Sequence, residues 1–289
     1  MRIARFLERS TSRPRIGLER DGIIYDVEAL EAALGAAVEV PGDPWDFHTR
    51  VAALSCAGLR ELDAALLQGK RPASAVVPRD GVAALPPCDT DRALYVHVDV
   101  GARGGEPAVR LGAARSIAGQ DALVDLPRGE RDPAVEVGVA IVVGDDLRDA
   151  TAREARSAIL GVSVLADWRA RDTEKSAPFG ATVRGLRAQM GPVLAGIATV
   201  PKPGSLAVSV TTRGAAHALG TLGDLGLSLE DAVALASTHF DLRAGDVVGV
   251  APVPFRVTGT RDLGVGYHEL VEVAVERIGT LRGTAVERR

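Results

Sequence analysis

The chain has 289 residues, of which 46% are apolar and only 3% aromatic, and its formal net charge is −4. A chain of this length accommodates one large domain and a smaller one, and its Val, Ala and Leu content suits a valine-rich sheet covered by helices. The charges form no basic stripe, which argues against a nucleic-acid partner.

The cysteines and the apolar runs predict a soluble, cytoplasmic protein. Cys56 and Cys88 lack the spacing of a zinc or redox site and imply no disulfide framework. The opening MRIARFLERS has no apolar signal core, and the longest apolar run, VGVAIVVG, is far shorter than the roughly 18 residues that cross a bilayer. We therefore expect no membrane partner.

The N-terminal segments predict a small α+β domain over residues 1–75. They read as two short strands, and ERDG has the residue types of a turn between the halves of a hairpin. A helix with Pro44 at its first position is predicted to continue to Gly69. Prolines then become frequent without periodicity, so we place a linker over 76–91 and the larger domain over 92–289.

The larger domain begins with the strand ALYVHVDV, which leads into the glycine-rich turn GARGGEP. His97 and Asp99 alternate with valines along this strand and are expected to point inward. The turn carries Arg103 and Glu106, and loops of this kind bear function more often than cores do. We therefore take these four residues as candidate catalytic residues.

A second strand, DPAVEVGVAIVVG, alternates in strict period two. Its odd-numbered apolar residues, from Val135 to Val143, share one face of the sheet, so Glu136 must lie on the opposite face beside small residues that leave space. Thr151 and Glu154 then form a capping box that opens a helix, and the strand after it ends at Asp167.

The rest of the chain predicts many strands and few helices. Residues 176–204 are rich in glycine and proline and are expected to be irregular, and a helix capped by Ser228 is followed by further strands. Because the strands do not alternate regularly with helices, the fold class is mixed α/β, mostly β and mostly antiparallel, and not a Rossmann sheet.

Several common motifs are absent from the sequence. GARGGE is not a dinucleotide-binding turn, no phosphate-binding P-loop occurs, and GVSVL lacks the second glycine of a nucleophile elbow. We therefore expect no nucleotide cofactor and no serine hydrolase chemistry. The histidines show no metal-ligand spacing along the sequence, so each is more readily explained as a surface or core residue.

Taken together, residues 92–286 resemble the fumarylacetoacetate hydrolase superfamily. The resemblance rests on segments that occur in the family's order, namely DPAVEVGVAIVVG, VLADWRARD, MGPVL, LRAGDVV and VERIGTLRGTAV. RFL with RIGLERDGIIYDV resembles the short N-terminal domain of the bacterial members. The resemblance implies a β roll that forms a homodimer and acts on a small-molecule substrate.

The resemblance also implies a metal site, because the family holds Mg²⁺ or Mn²⁺ with a Glu-x-Glu pair and a later Asp. Glu136 and Asp167 match the second Glu and the Asp, but the first Glu position holds Ala134. Since such hard cations require several oxygen ligands, the site is expected to be weak or vestigial.

The family's substrate and catalytic residues are matched less well. Its lysine corresponds to Thr182 here, and Arg184 is a candidate replacement for binding an anionic substrate. VAPVP stands in place of its Thr-Gly-Thr loop. In its water-activating stretch the histidine corresponds to Arg103, which cannot act as a general base, and the glutamate corresponds to Glu106.

Two hypotheses therefore remain. The chain is an enzyme acting on a small oxo-acid or β-dicarbonyl compound, by C–C hydrolysis or decarboxylation or by a metal-independent isomerisation, cyclisation or dehydration. Alternatively it is an inactive scaffold or partner subunit. Glu136 and Asp167 either contact a metal or substrate, or are relics paired with an arginine such as Arg169 or Arg171, because a buried unpaired carboxylate is too costly to persist ionised.

Overall fold

The fold was analysed in a computed structural model. The structure describes residues 1–10, 12–35, 57–78, 82–101, 105–176, 187–254 and 260–288. Within these ranges, no helix is long and apolar enough to span a membrane.

Strands dominate the described part of the chain. They are β1 Arg2–Glu8, β2 Arg13–Arg20, β3 Ile23–Asp26, β4 Val82–Leu85, β5 Tyr95–Asp99, β6 Ala108–Gly112, β7 Ala122–Leu126, β8 Pro133–Val143, β9 Ile159–Ala170, β10 Arg187–Gly196, β11 Ala207–Thr212, β12 Ala215–Thr221, β13 Val247–Ala251, β14 Leu263–Gly264, β15 Leu270–Val275 and β16 Gly279–Glu287. The α-helices are α1 Val27–Leu34, α2 Ala57–Leu67, α3 Ala152–Ala158, α4 Arg171–Ser176 and α5 Leu229–His239.

The described strands form two sheets. The larger has the order β3-β2-β1-β10-β9-β8-β13-β5-β6, with β4 paired to β1 and β14 paired to β8, and the smaller has the order β12-β11-β15-β16-β7. Pairing is antiparallel except between β13 and β5 and between β16 and β7. The predicted mixed, mostly β class is therefore confirmed, with the fold of a mostly antiparallel roll.

The two faces of β8 behave as the alternation predicts. Its odd-numbered valines and Ile141 are fully buried in one apolar cluster that also holds Val96 and Val98. Ala140 belongs to a second cluster on the other face, together with Tyr95 and Leu165. Odd-numbered residues of β5 and even-numbered residues of β8 thus share the face away from the valine layer.

Helix ends also follow the predicted signals. The Thr151 hydroxyl accepts from the Glu154 amide and the Glu154 carboxylate accepts from the Thr151 amide, which completes the predicted capping box of α3. Ser228 caps α5 through the amide of Asp231. The helix predicted from Pro44 to Gly69 lies outside the described residues as far as residue 56. Its remaining part is α2, Ala57–Leu67.

One predicted irregular segment is a strand. Residues 176–204 were expected to be irregular, but Arg187–Gly196 form β10, which pairs with both β9 and β1. The glycine and proline of this segment fall at a register shift between Gly191 and Ala195, so the strand tolerates them as an interruption of the pairing. Through β10 the N-terminal strands join the large sheet.

Candidate metal centre

Three strands bring together His97, Glu136 and Asp167. Glu136 on β8 and Asp167 on β9 are Cα partners across the antiparallel pair, and His97 approaches from β5. One ligand atom from each residue lies within 4.8 Å of the others, and all three residues are at least 98% buried. A buried imidazole and two buried carboxylates therefore converge on one small volume.

Tyr95 fixes the orientation of His97. Its hydroxyl lies 3.2 Å from His97 Nδ1, the two rings meet edge to face, and the same nitrogen lies 3.9 Å from Asp167 Oδ2. Burial raises the pKa of the Tyr95 phenol well above its usual value, and the negative charges of Asp167 and Glu136 add to this effect. Tyr95 is therefore a neutral phenol that can hold the imidazole by a hydrogen bond.

Arg169 supplies a positive charge beside the two carboxylates. Its Nη1 donates to Glu136 Oε1 at 2.5 Å and to Asp262 Oδ2 at 3.2 Å, and its Nε donates to Glu174 Oε1 at 3.0 Å. Burial alone would lower the pKa of Arg169, but the hydrogen bond to Glu174 and the surrounding carboxylates raise it overall. Of the two arginines named as possible partners of Glu136, Arg169 is the one that pairs with it.

The sheet register explains why Arg169 fits there. Arg169 is the Cα partner of Ala134, which has no polar side-chain atom. The guanidinium thus comes from the register position opposite the alanine and reaches Glu136 two residues along β8. Arg171, the other arginine considered, pairs with Asp132 and Asp262 instead.

Asp99 lies next to the centre, two residues beyond His97 on β5. Its carboxylate accepts hydrogen bonds from Arg110 Nη2, at 3.1 Å, and from Arg261 Nη2. Among the described residues, two guanidiniums therefore share this carboxylate. Asp99 is buried as predicted, and in this structure it holds the two arginines.

The remaining predicted residues lie outside this cluster or outside the described part of the chain. Glu106 is exposed on the segment before β6. Arg103, Thr182 and Arg184 lie outside the described residues. The catalytic role predicted for Glu106 and Arg103 and the substrate-binding role predicted for Thr182 and Arg184 stay predictions.

The donor set fits a divalent metal ion. Imidazole nitrogen and carboxylate oxygen are both common ligands of divalent transition metals, and three protein ligands leave coordination positions for water or substrate. A carboxylate has two oxygens, so Glu136 can contact Arg169 and a cation together. His97, Glu136 and Asp167 are therefore the residues that would hold a metal.

Sequence reasoning identified each of these three residues but not their grouping. His97 was predicted as a catalytic residue from its inward position on β5, and no ligand spacing along the chain relates it to Glu136 or Asp167. Only the order of the strands brings it to the pair. The roles of Tyr95 and Arg169 were harder to predict. Placing Tyr95 requires knowing which residues of β5 face the site, and placing Arg169 requires the register of β8 against β9.

An open cavity lies elsewhere in the described part of the molecule. It has a volume of about 510 Å³ and is lined by Arg213, Tyr267, His268 and Glu269, among others. Arg213 and Glu269 already pair with each other at 2.9 Å. None of the residues of the candidate metal centre lines this cavity.

Known proteins resemble this chain in sequence and in fold. A maleylpyruvate hydrolase of Aquipseudomonas alcaligenes is 29% identical over 175 residues, which cover 59% of this chain and 57% of that protein. The structure of a maleylpyruvate hydrolase from Sphingobium sp. SYK-6, in complex with manganese(II) ion and pyruvate, matches with a TM-score of 0.73, 20% identity and full coverage of both chains.

A further solved structure shares the fold. The 5-carboxymethyl-2-hydroxymuconate delta-isomerase of Mycobacterium smegmatis matches with a TM-score of 0.71 at 18% identity and with full coverage of both chains. At such identities the structural matches show the fold alone. The family model described as fumarylacetoacetate (FAA) hydrolase C-terminal matches residues 89–286, more than half of the chain. The resemblance seen in the sequence is therefore confirmed, and the chain belongs to the fumarylacetoacetate hydrolase family.

Proposed function

We propose that this chain is an enzyme that hydrolyses or isomerises a small oxo-acid or β-dicarbonyl carboxylate, using a divalent metal held by His97, Glu136 and Asp167. The observation that carries the proposal is the convergence of these three buried residues. The similar proteins support the substrate class, because their names include maleylpyruvate and a hydroxymuconate, both carboxylates bearing an oxo or hydroxydiene group.

The chain's own residues have separable tasks in this proposal. A bound divalent ion would polarise a carbonyl oxygen of the substrate as a Lewis acid. Tyr95 holds the His97 ring, and Arg169 holds one oxygen of Glu136, so both ligands are oriented before the substrate arrives. Arg110 and Arg261, which share the Asp99 carboxylate, are cationic groups next to the centre that would attract an anionic substrate.

The test is turnover of a panel of small oxo-acids with and without added divalent metal. We expect Asp167→Asn and Glu136→Gln to lower kcat/KM by at least ~100-fold, because Lewis-acid catalysis contributes several kcal/mol. The matched control is Asp241→Asn, which removes an exposed carboxylate and should leave kcat/KM unchanged. Activity that survives both substitutions would contradict the proposal.

A specific contact favours the two readings that need no metal, namely the metal-independent isomerisation within the first hypothesis and the inactive scaffold or partner subunit of the second. Arg169 already neutralises part of the charge on Glu136, so these buried carboxylates persist without a metal. If this hypothesis is right, metal removal by a chelator will change neither activity nor the unfolding midpoint. If the metal-dependent proposal is right, the chelator will abolish turnover.

A homodimer and a cytoplasmic location belong to the same proposal. The family resemblance supports the dimer, and Leu111 and Leu123 expose more than half of their surface on β6 and β7. Sedimentation equilibrium would test the assembly, and a monomer at micromolar concentration would contradict it.

A further inference from the structure

His97 makes this metal centre differ from an all-oxygen site. Of the three convergent donors, two are carboxylates and the third is an imidazole. Mg²⁺ and Ca²⁺ strongly prefer oxygen ligands, whereas imidazole nitrogen suits the divalent transition ions. The identity of the third donor therefore bears directly on which ion the centre selects.

The charge of the centre points the same way. Glu136 and Asp167 contribute two negative charges, and Arg169, which contacts Glu136 at 2.5 Å and also pairs with Glu174 and Asp262, offsets part of that charge. Mg²⁺ binding depends mainly on Coulomb attraction to negative oxygens and on a reluctant loss of water. A donor set with so little net negative charge is a weak site for Mg²⁺, while the bond from a nitrogen donor to a transition ion depends less on charge.

Tyr95 and Gly249 show that the ring of His97 is held in one orientation. The Tyr95 hydroxyl meets His97 Nδ1 at 3.2 Å, and Gly249 on β13 leaves the space that Tyr95 occupies. A Cβ at Gly249 would lie 2.8 Å from the Tyr95 oxygen. Metal-binding histidines characteristically have such a partner on one ring nitrogen, because it fixes the ring against the ion.

We propose that His97 is the third protein ligand of the centre and makes it select a divalent transition ion over Mg²⁺. This inference rests on the proposed function, since it assumes that Glu136 and Asp167 hold a metal. Ala134 supplies no donor at its position, and Arg169 occupies the register position opposite it. The third donor therefore comes from β5 instead of β8.

The experiment compares Co²⁺ and Mg²⁺ binding to the chelator-treated full chain by calorimetry, with the visible absorption of bound Co²⁺ as a second readout. His97→Ala should weaken Co²⁺ binding by at least ~100-fold. Losing a partner outside the ligand shell already costs ~10- to 100-fold in metal affinity, and losing a ligand should cost at least as much. His97→Asp should restore an all-oxygen site, lower the Co²⁺-to-Mg²⁺ affinity ratio by at least ~10-fold and change the Co²⁺ spectrum.

The control is His239→Ala, which removes an exposed histidine and should leave both affinities at their wild-type values. Tyr95→Phe should reduce Co²⁺ affinity less than His97→Ala does, because it removes only the orienting hydrogen bond. Each of these results would support the assignment of His97 as a ligand.

Three results would overturn the inference: equal affinity ratios in wild type and His97→Asp, wild-type Co²⁺ affinity in His97→Ala, or no binding of either ion. The oxo-acid turnover assay judges the proposed function separately. Turnover with Mg²⁺ and no preference for Co²⁺ would refute the role of His97 and leave the proposed oxo-acid chemistry with a metal held by Glu136 and Asp167. Selective Co²⁺ binding without any turnover would support the role of His97 and refute the proposed function.

Discussion

At the scale of single residues, Arg169 is a largely buried cation that three carboxylates share. It contacts Glu136, Glu174 and Asp262, and its own side chain is only 13% exposed. Removing one partner of a buried ion pair costs far more than the pair itself contributes, because the remaining charges stay buried without compensation. Arg169 is therefore expected to be essential for the stability of the metal-free protein.

Arg169→Met should lower the free energy of unfolding by about 3–5 kcal/mol in denaturant titrations with chelator present. The matched control is Arg156→Met, which breaks an exposed pair with Glu230 worth at most about 1 kcal/mol. Adding Glu136→Gln to Arg169→Met should recover part of the loss, because the uncompensated charge is gone. Equal losses in Arg169→Met and Arg156→Met would contradict this account.

The sequence alone could predict that Glu136 is buried and needs a partner, but it could not decide which partner. Alternation along β8 fixes the face of the strand, and burial then demands a counter-charge. The choice between Arg169 and Arg171 depends on the register of β8 against β9, which no local signal specifies. The grouping with His97 likewise depends on the position of β13 between β5 and β8.

At the scale of secondary-structure elements, the spacing between β8 and β13 depends on glycine at position 138. A Cβ there would lie 2.0 Å from the carbonyl oxygen of Val250, which belongs to the neighbouring backbone and cannot rotate away. The distance from Glu136 on β8 to β13, and to β5 on the far side of β13, depends on this close approach. The strand therefore carries small residues on this face for a geometric reason as well as to leave room for the site.

Gly138→Ala should destabilise the protein by about 1–3 kcal/mol or more and should weaken metal binding as β13 moves outward. Gly144→Ala is the matched control on the chain just after β8, because its Cβ would meet Leu160 and Ala158 no closer than 3.3 Å. Denaturant unfolding and calorimetry would measure both effects. A Gly138→Ala protein as stable as Gly144→Ala would show that β13 does not approach so closely.

Helix α4 begins at a buried carboxylate. Glu130 accepts hydrogen bonds from the backbone amides of Asp132, Asp172 and Thr173 and from the Thr173 hydroxyl. Burial alone would raise the pKa of Glu130, but these hydrogen bonds lower it overall. Because the folded pKa is depressed, the ionised carboxylate stabilises the fold above its unfolded pKa near 4.3, and this stabilisation is lost as the pH falls through the folded pKa.

Glu130→Gln should therefore lower the free energy of unfolding at pH 7 by about 2 kcal/mol, the scale of hydrogen bonds to a charged group. The difference from wild type should begin to shrink as the pH falls below the unfolded pKa near 4.3, and it should be lost as the pH falls through the depressed folded pKa. Glu154→Gln, in the exposed capping box of α3, should have a smaller effect at pH 7. A loss in Glu130→Gln that is constant from pH 7 to pH 3 would rule out the charge as its cause.

Sequence signals were reliable for elements with strong local patterns. The alternation of β8, the capping box of α3 and the Ser228 cap of α5 predicted those elements because each signal lies within the element itself or at its first turn. β10 was missed because its glycine and proline resemble a loop, whereas pairing with β9 and β1 holds it in the sheet. Tertiary pairing overrides local propensity at such positions.

At the scale of the whole molecule, the N-terminal segment and the larger part share one sheet and one apolar cluster. β1 pairs with β10, and Leu62 on α2 lies in the same cluster as Leu165 and Met190. β4, which lies within the predicted linker, pairs with β1. The division into two domains stays a prediction, and we expect the two parts to unfold together.

Leu62→Ala should lower the free energy of unfolding by about 2–5 kcal/mol, because it opens a cavity in this shared cluster. Trp168 fluorescence, followed in a Trp45→Phe background, should report the same shift as far-UV circular dichroism. Leu67→Ala, on the same helix but 66% exposed, is the control. An unchanged Trp168 transition in Leu62→Ala would mean that the N-terminal part unfolds independently.

The central claim is that His97, Glu136 and Asp167 together hold one divalent ion. Anomalous diffraction from crystals grown with Co²⁺, collected at the cobalt absorption edge, tests it most directly. The account predicts a single strong peak about 2.0–2.2 Å from one atom of each of these three residues, as for first-row transition metals bound by nitrogen and oxygen. A peak only at other residues, or none at all, would contradict it.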